Sequence, residues 1–295
     1  MPALPAALDA DDWRGRARRH EERVDAWTQP HLARARAGRR HPVEDFLFRY
    51  YPHRPGQLRR WHPGAGLALL GDAARERLQW PFYVELGTGV GVDVDGFLSR
   101  RDQQLLSTAV LLRATAGRAP QLGCLGLHEW AMVYRADERR HADWPLRLGQ
   151  AATDVVVEAH PLRCTHIDAF RFFTRPARPL NAHQPTRETQ AALEQPGCLH
   201  ASMDLYKWAY QLSPAVDSDL VADCFALARD VREVDMRASP YDFGALGLAP
   251  VPIETSAGRA DYVRYQRGFT ERAQILRSRL IEVCDRLGAE ASAHP

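Results

Sequence analysis

Lysine is almost missing from this chain: 39 residues are Lys or Arg, Lys207 is the sole lysine, and subtraction leaves 38 arginines. Such a bias points to G+C-rich codons and makes the one ammonium conspicuous, because an ammonium is compact and shifts its pKa when buried whereas a guanidinium stays charged. The alternative is an ordinary helix lysine paired with Asp204 three residues earlier. Cysteine is scarce too. Cys124, Cys164, Cys198, Cys224 and Cys284 are odd in number and contain no C-x-x-C pair, which excludes a disulfide framework and a cysteine zinc knot and leaves reduced, mostly buried thiols. No apolar run approaches a membrane span, and the start MPALPAALDADDW lacks the charged and apolar regions of a secretion signal, so the expected location is the cytoplasm, with no membrane partner. Net charge is only +2, yet residues 1–60 hold 13 Arg against 8 Asp plus Glu, an excess of +5 that leaves −3 for the remainder. That asymmetry permits a polyanionic partner.

The 295 residues show neither an internal repeat nor a dividing linker, and their pattern predicts one compact α+β domain, mostly helical, with a small antiparallel sheet from residues 82–97 and 154–170. Residues 1–40 read as a basic amphipathic helical arm and 288–295 as a loose tail. Residues 195–212, QPGCLHASMDLYKWAYQL, form the most informative stretch. Pro196 and Gly197 break the chain before it and Ser213-Pro214 ends it, so a helix of about four turns is predicted. Leu199, Met203, Tyr206 and Tyr210 make one apolar stripe and Leu205, Trp208 and Leu212 another. His200, Asp204, Lys207 and Gln211 lie between them and are expected to face a cleft or an interior cavity.

Earlier, Asp9, Asp11 and Asp12 open a helix with Trp13, Ala17, Val24 and Trp27 on one face. HLARARAGRRHP (31–42) follows as a solvated basic connection able to contact phosphates. Residues 43–64 combine Tyr50, Tyr51, Arg54, Trp61 and His62 along a proline-stiffened path. This set suits a flat pocket for a planar ligand or an aromatic core corner. FYVELGTGVGVDVDGF alternates as a hairpin, so its glycines are no dinucleotide fingerprint, and Ser99 with Asp102 is expected to cap the next helix. GLHEWAMVYR carries His128 and Glu129 beside Trp130 without the second histidine of a zinc-protease helix. In 153–173 a second strand would place His166 and Asp168 on one face, as two metal ligands or as a base and its orienter.

The blocks DFLFRYYPHRPGQLRRWHPG, GLHEWAMVYR, CTHIDAFRFF, QPGCLHASMDLYKWAY and LVADCFALARDVREVDMRASPYD resemble an actinobacterial family whose members usually carry the name 3-methyladenine DNA glycosylase. The resemblance implies hydrolysis of the N-glycosidic bond of an alkylated purine in DNA repair, with DNA as partner. The chain shows neither a helix-hairpin-helix with its downstream Asp nor a helical-repeat layout, so no catalytic residue is carried over. Removal of such a base needs stacking on the flipped ring and a carboxylate at the sugar. Tyr50, Tyr51, Trp61 or Trp130 are the stacking candidates, with Arg54 and His62 beside them. Asp168, Asp204 and Glu129 are the carboxylate candidates, with His166 and Lys207 as assisting groups. That reading needs no cofactor. A competing class is a metal-dependent enzyme acting on a small molecule, a divalent ion being held by His166, Asp168, His200 and His128. A third class is a non-catalytic ligand-binding protein.

Overall fold

A computed structural model describes residues 6–137 and 143–293. Helix dominates and a single four-stranded sheet accompanies it, so the chain is a mostly helical α+β protein. Internal contacts group it into two compact units, one comprising Met1–Leu112, Leu205–Ala226 and Leu276–Pro295, the other Arg113–Asp204 and Leu227–Ile275. No helix among the described residues is long and apolar enough to cross a membrane.

The first unit opens with β1 (Ala6–Leu8) and α1 (Ala10–Arg36). Asp9 caps α1 by accepting the Asp12 N–H at 2.8 Å, and Asp11 and Asp12 sit at the positive end of the helix dipole. The helix continues into the expected connection of 31–42, so 31–36 form its last turns. There Arg34 reaches Glu44 and Asp45, each at 2.6 Å, and His31 Nδ1 lies 2.9 Å from Asp45. Two short helices follow, α2 (Phe46–Tyr50) and α3 (Pro55–Arg59), the second with proline at its first position where no N–H is needed.

Strands β2 (Leu67–Leu69), β3 (Tyr83–Leu86) and β4 (Gly89–Val92) complete a sheet of order β1-β2-β4-β3. β1 pairs with β2 in parallel and the other pairs are antiparallel, so the sheet is mixed where an antiparallel one was expected. The three alanine-rich residues of β1 carry no alternating or β-branched signal, and only pairing makes them a strand. The predicted hairpin is β3–β4, with Gly87 at φ 61 in its turn. A Cβ on Gly91 would lie 2.6 Å from the Leu67 carbonyl oxygen, so this glycine serves close strand approach. Trp13, Trp61, Leu69, Tyr83, Val90 and Val92 build the core between α1 and the sheet. Helix α4 (Val94–Ala116) begins before Ser99, because Asp93 Oδ1 accepts the Gly96 N–H at 2.9 Å and starts it there.

In the second unit, α5 (Leu127–Ala131), α6 (Gly149–Ala159), α7 (Ile167–Phe170) and α8 (Gln190–Leu193) precede α9 (Leu199–Gln211), α10 (Ser218–Arg237) and α11 (Ser256–Ala293). The last three helices contribute stretches to both units. Residues 154–170 contain no named strand, against expectation. The run Val155-Val156-Val157 was ambiguous between strand and helix; Thr153, Val156 and Val157 are buried while Val155 is exposed, a helical spacing. Leu162 forms only an isolated bridge with Asn181. Helix α11 runs through Ala293 in place of a tail from residue 288.

Candidate metal centre

Three helices of the second unit bring His128, His200 and Asp235 together, with one nitrogen or oxygen from each lying within 4.8 Å of the others. His128 stands on α5, which is positioned by burial of the adjacent Leu127 and Trp130, and the Trp130 indole N–H donates to the Ala238 carbonyl at 2.8 Å. His200 lies in the first turn of α9. Asp235 lies near the end of α10, four residues after Val231 on the buried face. All three side chains are buried, and the His128 and His200 rings meet edge to face at 4.6 Å between centroids.

The polar contacts around the triad are an ion pair and a few hydrogen bonds. His128 Nε2 lies 2.8 Å from Asp235 Oδ1, a buried ion pair. The other ring nitrogen of His128 is 3.5 Å from Cys124 Sγ. Arg232 backs the carboxylate at 3.3 Å and also holds Glu129 at 2.9 Å. Burial alone would discharge His128, but the charge of Asp235 raises its pKa above the ordinary value; burial opposes ionisation of Asp235, and His128 holds its pKa low. Burial and the charge of His128 push His200 well down, so its imidazole is neutral and keeps a lone pair. A cavity of about 10 Å³ adjoins His128, His200, Cys124, Gln195 and Tyr262. That is room for about one water molecule.

His166 is also buried in this unit, with Nε2 3.5 Å from Asp204 Oδ2 and 3.7 Å from Glu194 Oε2. Burial lowers its pKa, but Asp204 and Glu194 outweigh that effect and raise it. Asp168 does not share a strand face with it. His166 stands at the N-cap position of the short helix α7 and Asp168 is two positions on, where it meets Arg187 at 2.5 Å and Arg171 at 3.3 Å. Of the four expected ligands, the triad therefore includes His128 and His200, His166 stands next to His200, and Asp168 is engaged by arginines. Asp235 and Glu194 escaped sequence reasoning. The visible signal for Asp235 was a carboxylate falling in register with Leu227 and Val231 on a core helix.

The remaining candidates are dispersed. Glu129 is buried against Arg232. Lys207, partly buried in the first unit, holds its ammonium 4.4 Å from the Trp208 ring centroid. Trp61 belongs to the first core and Trp130 to the second, so their faces are taken by protein. Tyr51 packs edge-on against Tyr50 and Tyr206, and Arg54 is exposed at the start of α3. His62 does line a groove of about 300 Å³ in the first unit, with His53, Trp80, Tyr210, Arg60 and Arg101 among its walls and no carboxylate among the lining residues. The Arg60 guanidinium stacks 5.3 Å from the Trp80 ring centroid. Gln211, the last member of the polar stripe on α9, also lines this groove.

No family model, curated protein or solved structure matches the chain.

Proposed function

We propose that the chain is a metal-dependent enzyme acting on a small molecule, with a divalent ion held by His128, His200 and Asp235. The observation that carries this reading is the coincidence of three buried ligand-type atoms within 4.8 Å and an adjoining cavity the size of one water molecule. Three protein ligands with a position left for water are the arrangement of catalytic ions, whereas structural zinc is closed by four protein ligands, mostly cysteine. Imidazole and carboxylate donors suit zinc, iron and manganese. An ion so held supplies Lewis acidity and a bound water that ionises near neutral pH. The chain's part is to keep His200 neutral, to orient His128 through Cys124 and Asp235 through Arg232, and to exclude bulk water. The test is metal analysis of the protein after loading with Zn(II) or Mn(II) and desalting. Retention of at least one ion per chain, abolished in His200→Ala, is expected; a loaded protein that retains none overturns the reading.

The groove of the first unit favours a second reading, in keeping with the family resemblance: hydrolysis of the N-glycosidic bond of an alkylated purine. Its rings offer stacking surfaces for a flipped base and its two arginines offer contacts to phosphate. Release of free base from alkylated duplex in the presence of EDTA supports this reading, and release that requires metal, or none at all, removes it.

A further inference from the structure

We infer that the groove of the first unit is a binding site for a small aromatic phosphate monoester of the nucleoside 5′-monophosphate class. The inference is independent of the metal-dependent reading, and it assigns the groove to a free mononucleotide instead of a base flipped from duplex DNA.

Charge is the first argument. Among the described residues that line the groove, only Arg60 and Arg101 are charged, and no carboxylate faces them there. Burial keeps the histidines of the wall neutral, pushing His53 down to about 4 and His62 down to about 3. Arg59 and Arg60 are adjacent in the chain but differ in what they meet. Arg59 bridges Glu21 at 3.0 Å and Asp25 at 2.9 Å, whereas Arg60 lies against the Trp80 ring. Arg101 donates to the neutral side chain of Gln104 at 2.7 Å. Neither Arg60 nor Arg101 forms an ion pair among the described residues. Guanidinium groups left without counter-charge in one concavity focus a positive potential in it. A phosphate monoester carries about −1.5 to −2 charge at neutral pH, enough to match both, and its free oxygens suit the fork of guanidinium donors. A carboxylate would leave one of the arginines unmatched.

Shape is the second argument. The groove's volume of about 300 Å³ stands at the lower end of the about 300–1,000 Å³ common to ligand pockets, a size for one mononucleotide and too small for a dinucleotide. Its walls include the rings of Trp80, Phe82, His53 and Tyr210, the last two 4.5 Å apart between centroids. Aromatic rings and guanidinium planes are the surfaces on which single bases stack. Phe82 is held at φ 63, a region that a bulky residue adopts only when its surroundings impose it, and such residues gather at ligand clamps. Gln57 commits its side-chain oxygen to the Arg54 N–H at 3.0 Å, which leaves its amide N–H groups as donors, and Gln211 adds a donor and an acceptor for the edge of a base.

Calorimetry on the full-length protein tests the inference, with EDTA present so that no ion carries the nucleotide. The titrants are AMP, GMP, CMP and UMP, the parent nucleosides, inorganic phosphate and an alkylated duplex. At least one of the monophosphates should bind once per chain with Kd below about 1 mM. Its nucleoside and inorganic phosphate should each bind at least about tenfold more weakly. The Arg60→Gln, Arg101→Gln double variant should lose at least about tenfold in affinity at an unchanged melting temperature, because both side chains are exposed. Arg101→Gln alone, which leaves the Arg60–Trp80 stack intact, should weaken binding in the same direction. Failure of every monophosphate to bind overturns the inference, and a duplex that binds where they fail gives the groove to the duplex reading. Equal affinity for inorganic phosphate, equal affinity for the nucleoside, or wild-type affinity in the double variant overturns it as well.

Discussion

The His166 ring stacks on the His200 ring with centroids 5.4 Å apart, although the two residues come from the start of a four-residue helix and the first turn of α9. The stacking aligns two imidazoles of opposite tendency in one buried place. Burial and the charge of His128 hold His200 neutral, whereas Asp204 and Glu194 overcome burial to favour the charged form of His166. A protein interior rarely collects three histidines and three carboxylates without a use for them, because each must be desolvated and paired.

The first prediction concerns the carboxylate of the triad. Asp235→Asn keeps the shape and removes the charge, so affinity for Zn(II) should fall by at least about 100-fold, given that loss of an outer-shell partner alone costs 10–100-fold. Competition with a chromophoric chelator measures the change. Affinity within about threefold of wild type would remove Asp235 from the ligand set.

Arg232 should matter through stability. It is buried and reaches Glu129 at 2.9 Å and Asp235 at 3.3 Å, so Arg232→Met strips a cation from two buried carboxylates. Breaking a buried ion pair from one side costs about 3–5 kcal/mol. Urea unfolding of the metal-free protein should show a loss of this size, and a loss below about 1 kcal/mol would mean that the carboxylates are held by other groups.

Much of this architecture could be read from the sequence where the signal is local. The Pro196-Gly197 break and the uninterrupted run to Gln211 define α9, and its polar stripe correctly set His200 and Asp204 apart from the apolar faces. The β3–β4 hairpin followed from alternation and glycine. Errors arose where local pattern was ambiguous or the partner was distant. The valine triplet of α6 suits a strand by propensity, and tertiary packing of Val156 and Val157 made it a helix. A separate misreading, of a second strand where α7 begins at Ile167, put Asp168 beside His166. Asp235 went unmarked because its relation to His128 spans more than a hundred residues, and Arg187 reaches Asp168 from a proline-rich segment with no periodicity to reveal it.

Asp168→Asn should therefore leave metal content intact. The carboxylate is buried but answers to Arg187 and Arg171, both about half exposed, so its neutralisation should cost about 1–3 kcal/mol through unsatisfied partners. Metal stoichiometry and melting temperature on one preparation decide this. Loss of an ion without loss of stability would return Asp168 to the centre.

The first unit should lose stability under mild acid. Burial pushes His53 down to about 4; burial, aided by Arg77, Arg60, His20 and His53, pushes His62 down to about 3. His62 Nδ1 also lies 2.9 Å from the Tyr83 hydroxyl, and His53 packs on Tyr206 and Tyr210. Both folded values lie below the ordinary histidine value near 6.5, so the unfolded chain takes up protons first as pH falls. Stability is full above about 6.5 and declines below it until the folded groups titrate near 4 and 3. Melting temperatures from pH 6.5 to pH 5, above most carboxylate titration, should fall less steeply in the His53→Asn, His62→Gln double variant. Identical slopes would show that these histidines do not control the acid response.

The nucleic-acid reading makes a demand that the amino-terminal arginines can meet only in part. Arg34 is engaged by Glu44 and Asp45, whereas Arg36, Arg39 and Arg40 are exposed. If duplex DNA is bound, each phosphate contact releases counterions and adds about 0.9 to the slope of log affinity against log salt. Replacing Arg36, Arg39 and Arg40 with Gln should lower that slope by up to about 3. Arg34→Gln should leave the slope nearly unchanged and reduce thermal stability, because Asp45 is buried and loses its guanidinium partner. Fluorescence anisotropy with a labelled duplex at several salt concentrations gives both slopes. A triple variant with the wild-type slope would move any phosphate contacts to another face, and a wild-type affinity indifferent to salt would exclude DNA as the substrate and leave the small-molecule reading alone.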